Sequence, residues 1–381
     1  MPDLQWPLLL RNARDLAEAS DPIARARRLA DRVGLLARHG LMSHAVALLP
    51  EARDAVLGLD DGEAFVRLAI SEAIATYYTP GTARSLDTFN TALEAAREHG
   101  MPELEAEASI WAAVYQRTLG IDVAGVIEHL RFALQHAGPA CEGTLARALY
   151  VTGNQFSRVG RHDDAQPWYR DAMPLARRAE DLRLCDAITI YPLLLELNDA
   201  RAAHAMGSLS DTDAEELEGH LREAAGRLSY AAKRSQIYLH LAETLRLRGR
   251  YAEAARLFKL YLPQAEAEGR NEPELMVSRS DLAVCLLHLR DARAATRERN
   301  DLQTALTAQT SHYSRAALLT NLAELEQLLG RPEAVARLSA RAADVWHERE
   351  QEHANLRTAL EDADLHAYWA ATPRLFLVSR L

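Results

Sequence analysis

The apolar positions of residues 148–177 (ALYVTGNQFSRVGRHDDAQPWYRDAMPLAR) describe two amphipathic helices joined by a short turn that carries Gly and Arg. Residues 237–266 (IYLHLAETLRLRGRYAEAARLFKLYLPQAE) repeat the pattern and align with the first segment without gaps. Gly160 falls on Gly249, Ala165 on Ala254, Tyr169 on Phe258, Leu149 on Tyr238 and Phe156 on Leu245. Ala165 and Ala254 stand where the two helices of a hairpin would cross, and only a small side chain lets the axes approach to ~8–10 Å. Tyr169 and Phe258, four positions on, are placed to fill the space toward the next hairpin.

This spacing resembles the tetratricopeptide repeat: a small residue at position eight (Gly153, Ala242), Gly at fifteen, Ala at twenty and an aromatic at twenty-four. Looser copies keep part of the pattern. Residues 321–338 hold Ala323, Gly330 and Ala334 with a turn one residue short, and 281–295 keep Ala283 and Ala295 with Arg290 where Gly is usual. Residues 30–49 keep Gly40 and Ala45. Residues 110–134 keep Tyr115 around a longer turn, and 63–99 carry Phe89 and Ala92 after a YYTPGT turn. Units then fall near 24–58, 63–99, 103–138, 142–178, 182–230, 234–268, 273–310 and 314–348. Their period of about 38–42 exceeds the 34 of the family pattern. The extra residues lie mostly between units, in 96–103, 177–184 and 265–274, where Gly or mixed charge marks helix ends. Longer helices with this spacing are similar to those in bacterial signalling and regulatory members of the family.

The resemblance implies an all-α fold: a right-handed superhelical α-solenoid of about eight TPR-like helical hairpins with a C-terminal capping helix. The expected divisions are an N-terminal array (1–180), an irregular longer repeat or bend (181–233), a C-terminal array with its cap (234–370) and an apolar tail (371–381). In the irregular unit Pro192 predicts a kink, and Ser210 or Asp211 is the expected N-cap of the following helix, with Glu215 and Glu216 near its positive end. Residues 347–369 are expected to form a last charged helix that covers the end of the array.

Composition adds the compartment and excludes several classes. The chain has 381 residues, is 48% hydrophobic and carries Lys+Arg 44 against Asp+Glu 54. It can bury a large core, and its net charge of −10 argues against electrostatic retention on nucleic acid. Cys141, Cys185 and Cys285 form no C-x-x-C pair, so neither a disulfide framework nor a zinc knuckle is expected. The N-terminus lacks a basic start and a long apolar run, and 187–197 and 282–289 fall short of the ~20 apolar residues of a membrane helix. The reading is a cytoplasmic protein with no membrane contact.

No phosphate-binding loop, dinucleotide fingerprint or nucleophile elbow occurs. His347 and His353 are six apart, which puts them on different helix faces rather than in a zinc motif. Arg161-His162-Asp163-Asp164 reads as a turn whose acid caps the next helix, and 35–56 as a repeat hairpin rather than a DNA-reading motif. Residues 1–60 hold eight Arg and eight acids, so no basic footprint exists there. The chain is therefore read as a non-enzyme with no cofactor and no metal.

In the family the first helix of each hairpin lines a concave groove, and positions two, five, nine and twelve face a ligand. Carried onto the two sharp units, these are Arg147, Tyr150, Asn154 and Ser157, with Arg158 one step beyond, then Gln236, Leu239, Glu243 and Arg246. In the eighth unit the same count gives Thr320, Glu324 and Gln327. An amide such as Asn154 offers a peptide backbone a donor and an acceptor together. Intervals of seven and four place Arg147, Asn154 and Arg158 on one helix face, as a polar anchor for an acidic or C-terminal peptide segment; a paired Asn154→Ala and Arg158→Ala change should then leave folding intact. The expected function is a protein- or peptide-binding scaffold or adaptor. Its alternatives are the sensory module of a signalling protein whose output lies elsewhere, or a regulator closed by a peptide about its fifth unit. A homodimer through the terminal helices is one arrangement open to it.

Overall fold

The structure, a computed structural model, describes residues 6–77, 83–119, 123–137, 141–228, 231–267, 272–308 and 312–371. Among these residues the regular structure is helical, without a strand. The helices are α1 (Pro7–Glu18), α2 (Pro22–Arg38), α3 (Met42–Leu57), α4 (Gly62–Tyr77), α5 (Ala83–Glu98) and α6 (Pro102–Leu119). They continue with α7 (Val123–His136), α8 (Glu142–Arg158), α9 (His162–Arg178), α10 (Leu182–Ala205), α11 (Asp211–Arg227) and α12 (Ala231–Leu247). The last are α13 (Tyr251–Ala267), α14 (Glu272–His288), α15 (Ala292–Ala308), α16 (His312–Leu328), α17 (Pro332–Ala363) and α18 (Leu365–Ala371). From α2 to α17 they fall in pairs on the eight units expected from sequence. Among the described residues the chain is an all-α series of helical hairpins.

The turns explain why the pairs form where they do. At the end of α12 the Gly249 amide donates to the Arg246 carbonyl at 2.9 Å and the Arg250 amide to the Leu245 carbonyl at 2.9 Å. This satisfies carbonyls the helix would otherwise leave orphaned, and it places Gly249 at φ 71, where a Cβ is costly. Arg290 adopts the same geometry at φ 64 after α14, with the Asp291 amide on the Leu286 carbonyl at 2.8 Å. The missing glycine of that unit therefore changes the cost of the turn, not its shape. Ser210 is the N-cap of α11, accepting from the Asp213 amide at 3.1 Å.

Two compact units divide the chain. One comprises Met1–Phe156, Asp163–Cys185 and Leu356–Leu381; the other comprises Ser157–His162 and Asp186–Asn355. In the first, Tyr115, Phe89, Phe156, Trp168 and Leu130 are fully buried between helices. Gly153 of α8 lies so close to α9 that a Cβ there would sit 2.8 Å from Tyr169 Cε1. Position eight is small because the helices touch at it. In the second unit Ala254, Phe258, Leu245 and Leu282 share one core, and Val284, Leu318, Leu322 and Leu325 belong to another.

One expectation changes at the C-terminal end, and one helix is added at the N-terminal end. α1 lies outside the eight units and packs on α2, with Asn12 Nδ2 donating to the Arg28 carbonyl at 3.1 Å. The separate charged helix expected at 347–369 does not exist as such: α17 runs unbroken from Pro332 to Ala363, because no Gly or Pro interrupts 333–363. The break comes at Asp364, with φ 42, and α18 follows. Leu356, Leu360, Leu365 and Trp369 are buried, and in the first unit Trp369 Nε1 donates to Asp171 Oδ2 at 3.2 Å. The YYTPGT turn, the linker at 265–274 and the apolar tail at 371–381 lie wholly or partly outside the described residues. Among the described residues, no helix is long and apolar enough to cross a membrane.

Candidate functional site

In the first unit the residues counted onto the groove are spent on packing. Arg147 donates to Asp181 Oδ2 at 2.8 Å and stacks its guanidinium 5.0 Å from the Trp111 ring. Burial pushes the Asp181 carboxyl up, but Arg147, Arg38 and the Leu184 amide outweigh it and hold it below the usual carboxylate range. Tyr150 is buried with its ring 6.4 Å from that of Tyr169. Asn154 is not at an open surface, contrary to the expectation: it is 1% exposed, and its Oδ1 accepts from the Tyr169 hydroxyl at 2.9 Å. The aromatic at position twenty-four meets the amide at position nine because Gly153 lets the two helices close. Arg158 is half-buried at the end of α8, among the residues of the second unit.

The second unit gathers a buried ionic network from the first helices α10, α12, α14 and α16. Arg201 donates to both oxygens of Asp281 and lies 3.3 Å from Glu243 Oε2. Arg246 pairs with Glu324, donates to Asn321 Oδ1 at 2.9 Å and lies 3.5 Å from Asp281. Asn321 Nδ2 donates to Asp281 Oδ1 at 2.9 Å and to Ser280 Oγ at 2.7 Å. Ser278 Oγ donates to Glu243 Oε1 at 2.6 Å, and His240 Nδ1 faces the other oxygen at 3.3 Å. Burial raises the Glu243 carboxyl, yet Arg201, His240 and Ser278 bring it down to about 2. Of the residues counted onto the groove here, Gln236, Leu239, Glu243 and Arg246 are all buried. They form the layer beneath the open surface rather than the surface itself. A charge pair of this kind is retained at the expense of desolvation, which the dense hydrogen bonding offsets.

The open surface begins where this network ends. A groove of about 850 Å³ runs along α16, lined there by Thr320, Ala323, Glu324 and Gln327. These include all three positions that the repeat count assigns to the ligand in the eighth unit. Its other walls are the end of α10 (Ala202, His204, Met206), Tyr251 and His288, and the α17 face carrying Val335, Trp346 and Arg349. The rings of Tyr251 and His288 stack at 3.8 Å. Trp346 Nε1 donates to Thr320 Oγ1 at 3.2 Å, and Arg349 stands 5.5 Å from the Trp346 ring while donating to Asp199 Oδ1 at 2.9 Å. Burial lifts the Asp199 carboxyl, but His162 and Arg349 bring it below its ordinary range. His162 therefore serves as a partner of Asp199, at 3.1 Å. Asp163 and Asp164 lie in the first turn of α9, where negative charge complements the helix dipole. Burial and the nearby Arg246 lower the His204 imidazole.

Arg201, Asp281 and Asn321 were not singled out by sequence. A signal existed: Asp281 and Asn321 each stand two positions before the small residue at position eight, Ala283 and Ala323. Polar residues at one repeat position in successive units mark first helices that share an interior polar seam. Arg201 had no such signal, because its unit is irregular.

No family model matches the chain, and no curated protein matches it. Among solved structures it is similar to the crystal structure of a Rap protein complexed with competence and sporulation factor. The identity is 15%, the match covers 90% of this chain and 99% of that one, and the TM-score is 0.46.

Proposed function

We propose that the protein is a non-catalytic, TPR-like binding module that takes a peptide or an extended protein segment in the groove of its second unit. The observation that carries this reading is the groove itself. It is about 850 Å³, within the range of ligand sites, and its walls come from the ends of the first helices α10 and α14, from the first helix α16 and from the second helix α17 packed beside it. Its lining mixes exposed apolar side chains (Met206, Leu328) with aromatic rings and a few fixed polar groups. That combination suits a chain segment, whose side chains need apolar seats and whose backbone needs donors and acceptors.

The groove is coupled to what lies behind it. Glu324 lines the opening and pairs with Arg246 of the buried network, and α10, from the irregular fifth unit, supplies part of the wall. This favours a regulator whose second unit responds to occupancy over a passive scaffold.

Selection of displayed random peptides on the whole chain tests the reading. Peptides so selected should bind about tenfold more weakly to Trp346→Ala and Tyr251→Ala, each a truncated aromatic wall, and unchanged to Glu253→Ala on the outer face of α13. Selected peptides indifferent to both wall variants would place binding elsewhere.

A further inference from the structure

Within that groove reading, we infer that the bound segment presents a cation, a lysine, arginine or terminal ammonium, to the carboxylate of Glu324. The network behind the groove holds three carboxylates, Glu243, Asp281 and Glu324, against two guanidinium groups, Arg201 and Arg246, with the His240 imidazole on Glu243. Asp281 and Glu243 are sealed within it, at 0% and 5% side-chain exposure. Glu324 is different: its side chain is 25% exposed and lines the opening. One oxygen is taken by Arg246, and the other has His288 Nε2 at the long distance of 3.4 Å.

Only one guanidinium, that of Arg246, is paired with Glu324, and the second oxygen of that carboxylate faces His288 alone among the described contacts. Burial and the facing Arg246 work against protonation of His204. His240 lies on the far side, against Glu243. Arg349 is drawn to Asp199, and Glu350 adds a further carboxylate at the rim. Tyr313, half-buried near Arg201, has its phenol raised by desolvation and stays neutral. A partly dried carboxylate whose first oxygen already faces a guanidinium is a strong acceptor at its second, because charge-assisted hydrogen bonds strengthen as water is excluded. Beside it, Met206 and Leu328, 71% and 42% exposed, offer apolar contact for the stem or neighbours of a cationic side chain.

Pools of fluorescein-labelled, N-acetylated heptapeptide amides supply the test, with the central residue fixed as Lys, Arg, norleucine or Glu and the others random. Acetylation removes the terminal ammonium, so the central side chain is the fixed cation. The Lys and Arg pools should bind the whole chain about tenfold more tightly than the norleucine pool, and the Glu pool most weakly. Glu324→Gln should erase that preference while leaving norleucine binding in place, with melting recorded to confirm folding. Gln327→Glu places a second carboxylate one helical turn away at an exposed position, and should widen the preference whether or not Glu324→Gln folds. Equal binding of the Lys and norleucine pools, lost on Trp346→Ala, would overturn the cation and leave the groove standing. Absence of binding by every pool would overturn both.

Discussion

Asn154 and Ala254 show how far a single residue's meaning depends on what lies across from it. Ala254 is fully buried in the core that Phe258 and Leu245 share, so Ala254→Leu overpacks the hairpin and should cost ~1–3 kcal/mol. Glu253, one residue earlier, keeps a 43% exposed side chain, and Glu253→Leu should leave the melting temperature nearly unchanged. Equal melting temperatures for the two variants would refute the assigned register. Asn154 runs the other way. The repeat pattern marks it as a ligand residue that folding can spare, but its Oδ1 holds the buried Tyr169 hydroxyl. Asn154→Ala should therefore destabilise by ~1–3 kcal/mol, the cost of an unsatisfied buried group. A denaturant midpoint equal to that of the parent would show that the pair contributes nothing.

At the scale of elements, ionisable groups tie helices together and give the chain a defined acid limb. His39 at the end of α2 is buried, with Nδ1 on the Leu35 carbonyl at 2.7 Å, and burial pushes it from 6.5 to about 4. Glu243 on α12 is brought down to about 2. In both cases the folded state binds its proton less readily than the unfolded chain does. Stability is thus complete above pH 6.5 and falls with acidification, first through the His39 window down to about 4, then through the Glu243 window toward about 2. Asp31, raised by burial, acts in the opposite sense and offsets part of the second loss. Melting curves between pH 7 and 3 check this. His204 shares the upper window, and Asp181 and Asp199 share the lower, so His39→Phe should reduce the upper slope and Glu243→Gln the lower; unchanged slopes would refute the assignment.

At the scale of the molecule, function is proposed for a groove that consecutive hairpins of one unit build together. A ligand that binds only the folded state stabilises it by mass action, about 2.7 kcal/mol at a hundredfold excess over Kd. Selected peptides should accordingly raise the melting temperature of the chain, and fail to do so in Trp346→Ala. Protection of α10, α12 and α16 backbone amides should rise with occupancy, since Glu324 and the end of α10 connect the wall to the buried network. Protection confined to α17 would argue for a passive surface.

The all-helical class, the eight hairpin pairs and the Gly-Arg turns were legible in the sequence. Each is a local matter: amphipathic spacing, a small residue at a crossing and a left-handed residue at a helix end act within some forty residues. The continuous α17 was less so, because the end of the family pattern suggested a boundary that no Gly or Pro enforces. Of the positions reached by counting, Thr320, Glu324 and Gln327 line an open groove, whereas Asn154, Glu243 and Arg246 are buried. Position in a repeat fixes which side of a helix a residue occupies. Whether that side meets water or another helix depends on residues 35 to 80 positions away, such as Asp281 and Asn321 for Arg246 and Asp281 for Arg201. Those meetings are decided by the packing of successive hairpins, where each buried charge must find its partner, and no local pattern records them.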